Sequence, residues 1–215
     1  MIEERDYFED IQEEIEEEPV KVVQEEVEEK KGIDWIGELK DLLVTFIICF
    51  ALVWGLTNFV VKPVQVDGAS MYPTLVDKEV GMVNLLFVNL DGVCRYDVVV
   101  VHHQERDENW VKRIIGLPGE TICCKDDVIY INGQPLDEPY LDTDYVNDYR
   151  RNGANFTNDF DEITLGDDEY FLMGDNRVVS LDSRIEGPFK EKDIIGKDVY
   201  ILYPFEQLKI VRNKY

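Results

Sequence analysis

The feature that most constrains this chain is the run LLVTFIICFALVWGLTNFVV, Leu42 to Val61, twenty residues without a charged side chain. As a helix rising about 1.5 Å per residue, it matches a bilayer hydrocarbon core of about 30 Å. The run predicts a transmembrane helix. It does not read as a cleavable leader, because it lies behind about forty hydrophilic residues, exceeds a leader's usual apolar core and precedes no small-residue cleavage pattern. The alternative is a buried helix of a soluble protein. Lys30, Lys31 and Lys40 precede the run, and Lys62 follows it. That bias predicts a cytoplasmic N-terminus, with the remainder of the chain outside the plasma membrane; acidic residues weigh little in this rule.

The 215 residues suffice for one ordinary domain with appendages. The net charge of −24 excludes nucleic acid as a partner, since phosphate binding needs clustered positive charge. Residues 1–41 hold 17 acidic and 5 basic side chains and read as a solvated, partly helical cytoplasmic tail. Four cysteines, Cys49, Cys94, Cys123 and Cys124, show no zinc-clip spacing, so neither metal nor cofactor is expected. A bridge from Cys94 to Cys123 or Cys124 stays open beside free thiols, because sequence does not fix the distance.

Beyond the span the hydrophobic period changes. VQV, EVGMVNLLFV, DVVVV, WVKRIIG, DVIYING, EYFLMG and DVYILY are short runs rich in Val, Ile, Tyr and Phe. Turn residues such as Leu117-Pro118-Gly119 and Ile131-Asn132-Gly133 separate them. The pattern predicts a mainly β domain over residues 62–215 built on antiparallel sheet with hairpins. Between Leu136 and Glu169 the chain turns acidic and aromatic and reads as an insertion.

Three blocks carry chemistry. In Val66-Asp67-Gly68-Ala69-Ser70-Met71-Tyr72-Pro73-Thr74, Gly68 permits an unusual backbone turn and Pro73 fixes the next one, a context that exposes a serine. Eight residues separate Val61 from Ser70, which keeps the hydroxyl within about 30 Å of the bilayer. A nucleophilic serine needs a base, and the candidates are Lys112 and the pair His102-His103. In a strand, Lys112 shares a face with Trp110 and Ile114, where apolar surroundings would depress its pKa. Lowering it from about 10.4 to roughly 7 to 8 takes about 4 kcal/mol. The two histidines sit beside Gln104, Glu105 and Arg106 and read as a solvated hairpin. The third block, Tyr170 to Arg184, ends a strand in a dense polar turn holding Asp175, Arg177, Ser180, Asp182 and Arg184. Such groups satisfy one another in a network, and the Ser180 hydroxyl suits the task of orienting a neutral lysine amine.

GASMYPTL, VKRIIGLPGE and GDNRVVSLDSR, in this order behind one membrane anchor, resemble the bacterial type I signal peptidases of the Gram-positive kind. The resemblance covers residues 42 to 205. It implies a mostly β fold with a catalytic sheet domain and a smaller variable subdomain, which widens the bounds of the insertion to about 124–169. It also implies Ser70 as nucleophile, Lys112 as general base, Ser180 as the hydroxyl orienting Lys112, and Asp175, Asp182, Arg184 and Arg113 as support. Some relatives carry an oxyanion-binding serine where this chain has Gly68, so the oxyanion would rest on backbone N–H groups around Gly68 and Ser70. The implied reaction is removal of signal peptides from exported preproteins after small residues, through an acyl-enzyme. Implied partners are those preproteins, the lipid bilayer and the secretion translocon. Two other readings remain: a self-cleaving serine-lysine protease, and a catalytically silent membrane protein that binds exported chains.

Overall fold

The computed structural model describes residues 35–214. The expected acidic tail lies outside them up to residue 34, and Trp35 to Asp41 belong to the first helix, α1 (Trp35–Phe59). This helix is 25 residues long, begins earlier than the uncharged run and buries none of its side chains. Among the described residues it is the one helix long and apolar enough to cross a membrane. Its polar side chains are satisfied locally: Thr45 and Thr57 donate to the carbonyls of Asp41 and Val53, and Asn58 donates to that of Trp54. Such back-bonding removes the cost of placing a free polar group in hydrocarbon. The helix stops at Phe59, so Val61 opens a strand instead of closing the span.

The remainder is β-rich. The main sheet contains β1 (Val61–Gln65), β2 (Val80–Asn84), β3 (Val98–His103), β4 (Glu108–Gly116), β9 (Glu169–Met173), β10 (Phe189–Lys190), β11 (Ile194–Tyr203) and β12 (Lys209–Val211). Its order is β1-β2-β11-β3-β4-β9-β10, with β12 also on β11, and every pairing is antiparallel. β11, at ten residues the longest strand of the sheet, serves two neighbours in succession, β3 along Ile194 to Lys197 and β2 along Lys197 to Tyr203. The four consecutive valines of β3 are buried on both faces. Val98 faces a core with Val66, Met71 and Leu75 behind the serine segment, and Val99 and Val101 face one with Ile114, Leu172 and Phe189. The expected strand EVGMVNLLFV breaks in two. Asn84 Oδ1 accepts the Leu86 N–H at 2.9 Å, ending β2 and opening the short helix α2 (Leu86–Asp91). A side-chain acceptor two residues back competes with the ladder, and apolar content alone does not reveal that.

Between β4 and β9 the chain builds a small lobe with its own four-stranded sheet, β7-β6-β5-β8. It comprises β5 (Thr121–Lys125), β6 (Val128–Ile131), β7 (Gln134–Pro135), helix α3 (Asp144–Arg151) and β8 (Phe160–Thr164). The lobe's sheet therefore starts at Thr121, whereas the sequence reading places the insertion's start near Cys124. Asp126 and Asp127, then Asn132 and Gly133, adopt left-handed backbone at the two hairpin turns, residue types that tolerate it. The lobe core gathers Ile122, Ile129, Leu141, Val146 and Phe156 and reaches Phe171 and Met173 of β9. The four cysteines are free thiols, so the Cys94 bridge does not form.

Candidate active site

Ser70 lies in the irregular segment between β1 and β2, and Lys112 on β4. Lys112 Nζ donates to Ser70 Oγ at 3.1 Å. The lysine is buried, and its amine lies 5.3 Å from the centre of the Trp110 ring, on the face expected from strand alternation. Burial pulls its pKa from 10.5 down to about 8; Asp182 and Asp175 pull upward and Arg184 downward. The amine is therefore able to be neutral near physiological pH, and across 3.1 Å its lone pair is within reach of the serine proton.

The segment carrying Ser70 is held from three sides. Gly68, at φ +89°, donates its N–H to the Asp77 carboxylate at 2.7 Å. Its N–H is thus occupied, whereas that of Ser70 meets no acceptor among the described residues. The Ser70 carbonyl accepts the Asn176 N–H at 3.0 Å. Behind the segment, the buried Glu79 accepts the Val76 N–H and pairs with Lys209 of β12 at 2.7 Å.

The turn after β9 supplies the rest. Asp175 pairs with Arg113 through two hydrogen bonds, 2.8 and 2.7 Å, and accepts from the Thr74 hydroxyl. Burial opposes the charge of Arg113, yet Asp175 holds its pKa above the ordinary value. Asp182 caps the short helix α4 (Ser183–Glu186), accepts the Gly174 N–H at 3.0 Å and grips Arg184 at 2.8 and 2.9 Å. Burial pushes the Asp182 pKa up, but the bonds from Arg184 and Gly174 bring it below the usual carboxylate value. Gly174 is required by space: a Cβ there would lie 2.3 Å from the Ser70 carbonyl oxygen and 2.2 Å from Ser180 Oγ. Ser180 is buried, but its hydroxyl lies against Gly174 and toward Asp182 without a hydrogen bond to any described residue, Lys112 included. The expected bond from Ser180 to Lys112 is not formed in this arrangement.

Arg177, which the sequence reading left as one member of a polar network, is fully buried. It donates to the Gly174 carbonyl, Thr157 and Tyr140 at 3.0 to 3.1 Å and forms an ion pair with Glu138. Burial opposes its charge, but Glu138 and Tyr140 hold the guanidinium well above its ordinary pKa. An arginine between two apolar valines and an acidic turn was the available signal; its partners, some 20 to 40 residues away, were not. The two histidines lie elsewhere. His102 meets Asn109 at 3.2 Å, and His103 sits 3.5 Å from Glu186 beneath Trp110. Among the described residues no cluster of His, Cys, Asp and Glu is placed to hold a metal.

Ser70 and Lys112 open on a cleft of about 480 Å³ walled by Gln65 to Met71 on one side and by Arg106 and Glu108 to Lys112 on the other, with Val179 and Leu181 also lining it. Both walls have spare hydrogen-bonding edges. β1 is the end strand of the sheet, and residues 108–112 of β4 pair with β3 alone, β9 joining only from Arg113 onward.

Comparison with known proteins gives the family. The model of the family described as signal peptidase, peptidase S26, matches residues 39–203. The chain belongs to that family. Signal peptidase I S of Bacillus subtilis (strain 168) is 38% identical over 187 residues, covering 86% of this chain and 97% of the relative. Signal peptidase I of Bacillus amyloliquefaciens is 38% identical over 182 residues, 84% of this chain and 97% of that one. A crystal structure of a signal peptidase I from Enterococcus faecalis V583 aligns with 35% identity and a TM-score of 0.43, over 49% of this chain and 95% of that one. This peptidase is a serine peptidase with signal peptidase I function, and its apolar helix fits a membrane-anchored enzyme.

Proposed function

We propose that this signal peptidase cuts preproteins with a Ser70–Lys112 dyad. The observation that carries the reading is the 3.1 Å approach of a buried lysine, with its pKa drawn down to about 8, to a serine hydroxyl in an open cleft. Neutral Lys112 takes the Ser70 proton as Oγ attacks the carbonyl after a small residue. The oxyanion meets the free N–H of Ser70, with Gly68 shaping the turn. The lysine then protonates the leaving amine, and water activated by the same amine releases the acyl group. Arg113, Asp175, Asp182 and Arg184 fix the two backbones. Ser180 has an unused hydroxyl, which suits reorientation toward the lysine amine.

The cleft walls favour an extended substrate. A peptide laid between β1 and the first half of β4 gains backbone hydrogen bonds as an added strand, while apolar lining residues read small side chains. The lysine bias around the span supports a cytoplasmic N-terminus and an extracytoplasmic catalytic domain in the plasma membrane, with the bilayer and the translocon as partners.

Cleavage of an Ala-x-Ala preprotein in detergent tests the dyad. Wild type releases the mature protein, while Ser70→Ala and Lys112→Ala lose activity and keep their fold. Persistent cleavage by Lys112→Ala would move the base elsewhere, to His102 or His103 first.

A further inference from the structure

The small lobe reaches the back of the nucleophile segment through one side chain. Tyr145, on α3, meets the fully buried Phe156 of the lobe core edge-on at 6.0 Å. Its ring also stands edge-on to Tyr72, two residues beyond Ser70, at 4.9 Å. Its hydroxyl donates to Asn176 Oδ1 at 3.2 Å, and the Asn176 N–H holds the Ser70 carbonyl at 3.0 Å. Tyr145 therefore touches both restraints on Ser70: the turn that follows it and the residue that grips its backbone. Within the segment itself the turn at Ser70 is closed by a 3.2 Å bond from the Tyr72 N–H to the Ala69 carbonyl and continued by a 2.9 Å bond from the Leu75 N–H to the Met71 carbonyl, neither of which fixes the Ser70 carbonyl.

We propose that Tyr145 is a positioning residue for Ser70, and that the small lobe acts in catalysis as a rigid backstop for the nucleophile segment. The inference rests on Ser70 being the nucleophile. Displacing a reacting group by about 1 Å costs about 100-fold in rate, so a wedge remote from the cleft has kinetic leverage. The leverage acts on the geometry of Ser70 and leaves the surroundings of Lys112 alone.

The test compares full-length wild type, Tyr145→Phe, Tyr145→Ala, Tyr149→Ala and Ser70→Ala on an Ala-x-Ala preprotein in detergent, with thermal midpoints measured alongside. Tyr145→Phe should lower kcat about 5-fold through loss of one hydrogen bond. Tyr145→Ala should lower it about 100-fold. In both, KM and the acid limb of the pH profile stay at their wild-type values. Tyr149 packs on Phe156 at 5.6 Å, so Tyr149→Ala should lower the thermal midpoint while leaving kcat near wild type. Wild-type kcat in Tyr145→Phe and Tyr145→Ala, or losses that only track the thermal midpoint as in Tyr149→Ala, would overturn the proposal. Should Tyr145→Ala not fold, Tyr145→Phe decides alone. Cleavage by Ser70→Ala would instead remove the nucleophile assignment itself.

Discussion

Lys112, as the proposed base, ties a pH response to a stability cost. In that role the amine acts neutral, so kcat/KM should rise about tenfold per pH step up to about 8 and then level, as read from a pH–rate profile. Its folded pKa lies below the unfolded value of 10.5, so the unfolded chain holds the extra proton between about 8 and 10.5 and stability rises with pH across that window. At neutral pH the buried ammonium opposes folding. Lys112→Met should therefore abolish cleavage yet add about 2 kcal/mol of stability, raising the thermal midpoint by about 5 °C. Gly174→Ala should instead lose on both counts. Its Cβ would collide with the Ser70 carbonyl, costing about 1 to 3 kcal/mol in urea unfolding and most of the activity. Sequence reading singled out Ser70, Lys112 and the paired charges from the types and spacing in three short blocks, and the structure brings Ser70 and Lys112 within 3.1 Å. It did not reach the occupied N–H of Gly68 or the unbonded hydroxyl of Ser180. Both depend on neighbours, Asp77 and Gly174, whose approach is a matter of tertiary distance.

Among the elements, strands with alternating or continuous apolar runs were legible, and short elements closed by polar side chains were not. Helix α3 shows why. Its signals are present, with Thr143 capping Val146, Asp144 in the first turn, Arg150 and Arg151 in the last and Tyr145, Val146 and Tyr149 at helical spacing, but eight residues are too few for that period to stand out in a polar segment. The lobe and the signature turn meet at Arg177. Replacing it by methionine strands the Glu138 carboxylate and leaves Tyr140 and Thr157 without their donor. Breaking a buried pair from one side costs about 3 to 5 kcal/mol, so Arg177→Met should fall by that amount in denaturant unfolding. The double variant Arg177→Met with Glu138→Leu should recover part of the loss, because no buried charge is then left alone.

For the whole molecule, the proposed anchoring by α1 would change the reaction's dimensionality. With α1 as the proposed anchor, enzyme and preprotein held in one bilayer would meet at a high effective concentration. Co-reconstituted in the same vesicles, they should react far faster than when each occupies separate vesicles at equal total concentration; equal rates would remove the anchor from the account. The overall architecture was legible because one uncharged run and a later switch to β periodicity divide the chain so sharply. The place where the helix ends was not, since Val60 and Val61 suit a membrane and a strand equally well. The unpaired edges of β1 and β4 carry a consequence of their own. They offer hydrogen bonds only to a chain whose amides are unspent, so a helix or a folded hairpin gains nothing by entering. A cleft used as proposed would select by conformation as well as by side chain. A mature domain that folds promptly on emergence takes its internal small-residue sites out of reach, and the timing of folding protects an exported protein from its own processing enzyme.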